Sequence, residues 1–283
     1  MKNQRNLFEG WYFKHQFNGK SLAIIPGRSV NSAFILVVTD TGSFHIPYPL
    51  NAFKINNNAN DFQLFIENNS FSSNRISLDI QSEKLTLVGE LEYSNPTPIN
   101  GDIMGPFKYF PMECNHGVIS MGHKILGAVM LNSELQEFTG GRGYIESDSG
   151  RSFPKWYTWL HCNAFDCGTS IMVSVARIPF YGLRFWGCIC IVWLNGKEYR
   201  LATYKGVKIV RCERGCIELR QGKYTLAISI NEHGGHTLPA PQLGKMSRYI
   251  RETLSVTARF RFMEGDCCLF DGASDYASHE YMM

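Results

Sequence analysis

Tyr144, Glu146 and Asp148 stand two residues apart. On a strand, where successive side chains point to opposite faces, the three share one face. A phenol and two carboxyl groups in a row can hold and move protons. Burial raises a carboxyl pKa, and a carboxyl kept protonated near neutral pH is a general acid. His116 is the second group suited to this work, as relay or acceptor, because the unperturbed imidazole pKa lies closest to working pH. Each residue also has a structural reading: Glu146 as a strand glutamate tied to Arg142, His116 as a core histidine bonded to backbone, Tyr144 as a ring that fills space. Three polar residues are costly on an inward face and ordinary on an outward one. The direction of this row therefore decides between the readings.

Trp11, Trp156 and Trp159 are candidates for the aromatic lining of a site; otherwise they are large core aromatics. From Met246 to Phe262 the even positions end in Leu254, Val256, Ala258, Phe260 and Phe262, which marks the even face as the inner one. Alternation then carries Arg248 and Glu252 inward at the other end. Either a bulge flips them outward, or they form a structural ion pair, or they are the polar end of an internal cavity. With Arg142 they are the charged candidates for substrate contact. Glu9 and Lys14 read as solvated charges flanking the opening strand. His233 and His236 flank two glycines, with no carboxylate or thiol beside them; they read as a loop, and no metal or cofactor is assigned. No phosphate-binding glycine loop or nucleophile elbow stands out.

The elements that must position these residues are strands. Period-two alternation recurs at Phe62–Ile66, Ile76–Ile80, Leu85–Leu91, Ile171–Val175 and Leu226–Ile230, separated by turn signals at Asn56–Asn58, Asn68-Asn69, Asn195-Gly196, Arg214-Gly215 and Gln221-Gly222. Helical periodicity is nearly absent, so the chain reads as all-β, a sandwich or barrel. Its longest apolar run, Phe185–Leu194, has about half the length of a membrane helix and fits a strand buried on both faces. With 283 residues, 44% hydrophobic and 19% charged, the chain can fill one large or two small cores. A net charge of +3 with no basic block leaves no footprint for nucleic acid. The segment Met1–Asn6 is polar, carries Lys2 and Arg5, and does not lead into a signal-peptide core. Nine irregularly spaced cysteines fit small hydrophobes in a reducing cytoplasm better than a disulfide framework. Trp11-Tyr12 followed by His15 and Phe17, and Trp156-Tyr157 followed by His161 and Phe165, suggest two similar β-units in tandem. Oligomeric state is not legible.

Residues 8–14, FEGWYFK, resemble the opening signature of the tocopherol cyclase family. Met112–Met121, MECNHGVISM, is similar to that family's MEC-x-HG-x-x-SM segment, and Gly143-Tyr144-Ile145-Glu146 to the start of its GY-x-E-x-NWG. Ser152-Phe153-Pro154, Trp156 and Trp159 follow in the expected order; beyond about Asn163 the likeness rests on scattered positions such as Arg184, Trp186 and Gly187. Asp148 and Ser149 stand where the family has Asn and Trp. The resemblance implies two tandem lipocalin-like (calycin-like) antiparallel β-barrels, here residues 1–140 and 141–283, as in the related carotenoid hydratases. It also implies closure of a prenylated quinol into a chromanol. A proton reaches a trisubstituted alkene, a tertiary cation develops, and the phenol oxygen captures it. That chemistry needs an acid near the alkene, an acceptor near the phenol and a dry tunnel, and no redox cofactor or metal. On this reading Glu146 is the acid, His116 the relay or acceptor, and Tyr144 the group that orients acid or substrate, with Asp148 extending their face. Trp11, Trp156, Trp159, Arg142, Arg248 and Glu252 surround the substrate. The alternatives are a lipocalin-like carrier of a lipid or other hydrophobic small molecule, and a protein with a collapsed cavity whose role is contact with a partner.

Overall fold

The computed structural model describes residues 6–58, 61–165, 167–180, 182–231 and 233–282; Lys2 and Arg5 lie outside it. Among these residues there is no α-helix, and strands dominate. The first sheet contains β1 (Phe8–Phe17), β2 (Lys20–Arg28), β3 (Ala33–Thr39), β4 (Ser43–Tyr48), β5 (Phe53–Asn58), β6 (Asp61–Ile66), β7 (Asn69–Ser72), β8 (Arg75–Gln81), β9 (Thr86–Ser94), β10 (Cys114–Leu131), β11 (Glu134–Glu137) and β12 (Arg142–Gly150). The second contains β13 (Tyr157–Cys162), β14 (Ser170–Phe180), β15 (Leu183–Leu194), β16 (Lys197–Ala202), β17 (Lys208–Glu213), β18 (Cys216–Gln221), β19 (Tyr224–Asn231), β20 (His236–Gln242), β21 (Lys245–Glu264) and β22 (Cys267–Met282). Both are antiparallel. At Asn195-Gly196 both residues have positive φ, 52° and 73°, as a two-residue hairpin between right-twisted strands requires.

The first sheet runs β4-β3-β2-β1-β12-β10-β9-β8-β7-β6-β5, with β11 on β10; the second runs β16-β15-β14-β13-β22-β21-β19-β18-β17, with β20 on β21. In each, the two end strands are consecutive in the chain and joined by a short link, so the sheet must roll until its ends meet. Trp11 of β1 accordingly stacks on Phe53 of β5 and Phe62 of β6, from the far end of the order. No hydrogen-bonded ladder joins β4 to β5 or β16 to β17 among the described residues, so the result is two rolled sheets rather than two demonstrably closed barrels. The repeat suggested by the two Trp-Tyr pairs is present in the topology. β1 and β13 each lie between the second strand and the last strand of their own sheet. The division expected at Gly140–Gly141 falls too early: β12 lies beyond it and pairs with β1 and β10, so the chain leaves the first sheet after Gly150.

Three cores result, and alternation assigns residues to them. Trp11, Phe13, Ile24, Phe62, Phe71 and Ile145 fill the first sheet's interior. Leu160, Val173, Cys190, Leu219, Phe260 and Phe262 fill the second's. The third core lies between the sheets and includes Tyr12, Leu36, Met121, Tyr144, Trp159, Ile191 and Ile250. The apolar run of β15 is buried on both faces for this reason: Cys190 and Val192 face the second interior, Ile191 the neighbouring sheet. Trp11 is thus packed inside the first sheet, not in a site. Lys14, expected in solvent, is 1% exposed, because the even face of β1 meets the second sheet. Its ammonium donates to the carbonyls of His161 (3.4 Å) and Tyr276 (3.2 Å). On β21 a register shift between Thr253 and Val256 changes the face of the strand. Val256, Ala258, Phe260 and Phe262 point into the second sheet's own core, whereas Ile250 and Leu254 point at the first sheet.

Truncating Trp11 to Ala should cost about 3–5 kcal/mol of stability, as for a core aromatic, and leave binding of an apolar ligand between the sheets unchanged. Chemical denaturation and a fluorescent-probe titration check both; weakened probe binding in a folded Trp11→Ala would place Trp11 at the site after all.

Candidate active site between the sheets

On β12 the odd residue Ile145 enters the first core. Tyr144, Glu146 and Asp148 therefore point away from it, towards the second sheet. The row is neither inside a barrel nor in solvent. Register sets His116 of β10 opposite Asp148, with Val118 opposite Glu146. The imidazole stands between two carboxylates: Nδ1 is 3.0 Å from Asp148 Oδ1, and Nε2 is 3.2 Å from Glu146 Oε2. The second contact is close but not aligned as a hydrogen bond. Glu146 Oε2 also accepts from Tyr144 Oη at 2.5 Å and from Trp159 Nε1, across the sheet interface, at 3.1 Å. An oxygen receiving those donors acts as an acceptor. The Tyr144 ring lies flat against His161 of β13, centroids 3.7 Å apart. Burial disfavours a charge on His116, but the Glu146 and Asp148 carboxylates outweigh it and hold the imidazole pKa well above its ordinary value.

His116, Glu146 and Asp148 lie close enough together to suggest a metal site. However, each ring nitrogen addresses a different carboxylate, an arrangement that suits a proton on each nitrogen better than one shared ion.

The second sheet brings two acids: Glu280, which the sequence did not single out, and Glu252, which alternation had carried inward. Glu280 of β22 accepts a hydrogen bond from Tyr157. Burial, and then the charge of Glu252, push its carboxyl well above the usual range. Glu252 is fully buried and accepts from Tyr12 Oη at 2.5 Å. Burial raises its pKa to about 7. Lys14, beside it, is lowered to about 8, chiefly by burial. Tyr12 and Tyr157 are the tyrosines of the two Trp-Tyr pairs. Alternation had the signal, since Trp11 facing inward turns Tyr12 outward. Glu280 carried none, because its pairing depends on strands more than a hundred residues apart in sequence.

Seven of these residues border one cavity between the sheets, of about 160 Å³: Tyr12, His116, Glu146, Asp148, Tyr157, Trp159 and Glu280. His116, Glu146 and Asp148 stand on one wall and Glu280 and Tyr157 on the other, with Tyr12, Trp159, Phe34, Met104 and Ile250 among the apolar and aromatic lining. Of the expected substrate contacts only Trp159 is there. Arg142 is tied to the carbonyls of Asn163 and Phe165. Arg248 shares the face of Met246 and Ile250 but spends its guanidinium on the carbonyls of Phe153, Pro154 and Lys155, pinning the crossing between the sheets. Trp156 is half-buried outside the cavity, under Lys155, Arg177 and Arg184. Glu252 lies behind Tyr12 as a partner rather than a lining residue.

No protein-family model matches the chain, and no curated protein matches it in sequence. Solved structures do. A Nitrosomonas europaea protein provisionally called AttH is 13% identical, with TM-score 0.58 over 98% of this chain and 93% of that one. CghA with Sch210972 is 11% identical, TM-score 0.63, over 97% and 88%. Kievitone hydratase from Nectria haematococca is 9% identical, TM-score 0.54, over 97% and 88%. At these identities the likeness establishes the fold, which is lipocalin-like. Among the described residues no helix is long and apolar enough to cross a membrane.

The raised pKa of Glu252 has a sign. Its stabilising contribution is fully present below the ordinary carboxyl value of 4.5 and is lost as pH rises through about 7. Relative to wild type, Glu252→Gln should therefore gain on the order of 3 kcal/mol between pH 4 and pH 8. Urea titrations across that range check this, and parallel curves would show that Glu252 does not titrate abnormally.

Proposed function

We propose that the protein is an enzyme of proton transfer, closing a ring or adding water across the double bond of an apolar substrate held between the sheets. The observation that carries this is the pairing of opposed walls: a histidine between two carboxylates on one, a raised carboxyl on the other, with apolar surface between. The three-component cluster and Glu280 have the complementary characters that acid–base chemistry needs.

In the mechanism, the Glu280 carboxyl gives its proton to one alkene carbon, and a tertiary cation develops at the other. Tyr12, Tyr157 and Trp159 offer ring faces to that charge. A phenol oxygen of the substrate, or a water, forms the C–O bond and passes its proton to Glu146, which His116 and Tyr144 hold in place. Exchange with solvent returns Glu280 and Glu146 to their starting states. No oxidation state changes, so the reaction calls for no redox cofactor. This exchanges the role expected for Glu146: its Oε2 accepts hydrogen bonds from Tyr144 and Trp159, while burial pushes the facing Glu280 carboxyl well above the usual range.

The substrate we infer is a prenylated quinol or a similar alkenyl phenol. A cavity of about 160 Å³ is comparable to one that holds a benzene ring, so it suits the ring and the reacting double bond, with the rest of the tail leaving through the mouth. One structural neighbour is by name a hydratase, and hydration and cyclisation share the protonation step. A lipid carrier has no need for three carboxyl–tyrosine pairs, two of them buried and one half-buried, each of which costs desolvation. The unpaired cysteines fit a reducing compartment, and we place the protein in the cytoplasm.

Incubation with prenylated hydroquinones in D2O should give a ring-closed or hydrated product carrying one deuterium at the former alkene carbon. Glu280→Gln and Glu146→Gln should each lower kcat at least about 100-fold with probe binding retained. Full turnover in either variant removes that residue from the mechanism; tight binding without turnover by wild type establishes the carrier.

A further inference from the structure

The β14–β15 hairpin projects beside one end of the cavity. Its inner face carries Ile178 and Phe185, which line the cavity, and Phe180. These pack with Phe107 and Phe110 of the segment 105–110: Phe107–Phe185 centroids are 5.9 Å apart and Phe110–Phe180 5.5 Å. Beyond this aromatic collar the surface stays apolar. Leu183 at the hairpin tip is 77% exposed, Tyr109 71%, Trp186 46% and Phe110 43%. Four large exposed apolar side chains on and beside a hairpin whose Ile178 and Phe185 line an apolar cavity are more than the scattered exposure of an ordinary surface.

The charges around this patch are predominantly basic. Residues 105–113, 151–156 and 177–187 hold five basic residues, Lys108, Arg151, Lys155, Arg177 and Arg184, and one acidic residue, Glu113, in a chain whose total is only +3. On the hairpin's outer face Arg177 lies opposite Trp186, and Arg184 opposite Pro179. Lys155, Arg177 and Arg184 crowd over the single ring of Trp156, at 4.4, 5.0 and 5.9 Å from its centroid. Among the described residues no carboxylate stands within ion-pair distance of these three cations. Three like charges held that close are relieved by an external anionic surface.

We propose that the hairpin tip and the 105–110 segment dock on an anionic lipid bilayer, with Leu183, Trp186, Tyr109 and Phe110 entering the interface and the basic residues meeting lipid headgroups. Exposed tryptophan, tyrosine and aliphatic side chains beside arginine and lysine are the composition of surfaces that lie on membranes, and each basic residue near an anionic leaflet adds to the attraction. Docked this way, the end of the cavity lined by Phe107, Ile178 and Phe185 lies next to the bilayer, and an apolar substrate entering there passes in without crossing water. The docking surface stands apart from the catalytic groups, so it can hold or fail independently of the proposed reaction.

The test is co-sedimentation of the full chain with vesicles of phosphatidylcholine alone or with 30% phosphatidylglycerol. Wild type should pellet with the mixed vesicles, less with the neutral ones, and release as salt rises. The double variant Arg177→Glu, Arg184→Glu should lose roughly tenfold or more in partitioning. Leu183→Asp should weaken binding several-fold even at low salt, with an unchanged circular dichroism spectrum. Wild type remaining in the supernatant with both vesicles would overturn the proposal. So would Leu183→Asp binding as wild type, or a concentration-dependent dimer abolished by Leu183→Asp, which would make the patch a contact between copies of this chain.

Discussion

Side chains on a strand alternate, and when two rolled sheets lie against each other that alternation divides every contact strand between two cores. β1, β12 and β13 obey this division. Trp11, Phe13, Ile145 and Leu160 close the sheets' own interiors, and Tyr12, Tyr144, Trp159, Lys14 and Glu146 are driven into the seam. The seam is therefore both a packing surface and the place where polar residues must find partners. Burying them is expensive unless each is hydrogen-bonded or paired, which explains why tyrosine–carboxyl pairs recur there.

Each sheet buries a hydrophobic core of its own. Aromatic rings occupy the first interior, and the cavity bordered by the candidate groups lies outside it, between the sheets. The space that remains lies where two convex surfaces fail to fit fully. Its walls come from different sheets, so groups of opposite character can face one another without sharing a strand or competing for the same hydrogen-bond partners. Trp159 bonded to Glu146 and Tyr12 bonded to Glu252 tie the two walls together, which fixes the separation that proton transfer requires.

Much of this was legible from alternation alone. The strands at Phe62–Ile66, Ile76–Ile80 and Leu226–Ile230, the hairpin at Asn195-Gly196 and the shared face of Tyr144, Glu146 and Asp148 follow from local rules, and the structure has them. The bulge near Thr253 was one of the readings open for Arg248 and Glu252, and it turns them to the facing sheet instead of to water. What was not legible depends on pairing across the chain. Glu280 meets Tyr157, and Lys14 is buried, only because one rolled sheet covers another. The sequence also gives no sign that β12 returns to lie beside β1, which is why the boundary at 140 falls short. Trp156, grouped with the site because of its neighbours in sequence, lies just before β13 begins and so escapes the alternation that carries Trp159 inward.

The central claim is that the reacting part of a substrate sits between the sheets, touching both walls. Crystals soaked with a brominated alkenyl phenol would show it directly through the anomalous signal of bromine. The peak should lie in the seam, with the phenol within about 4 Å of both Glu146 and Glu280. A peak inside the interior of either sheet, or a bound compound that reaches neither carboxyl group, would contradict it.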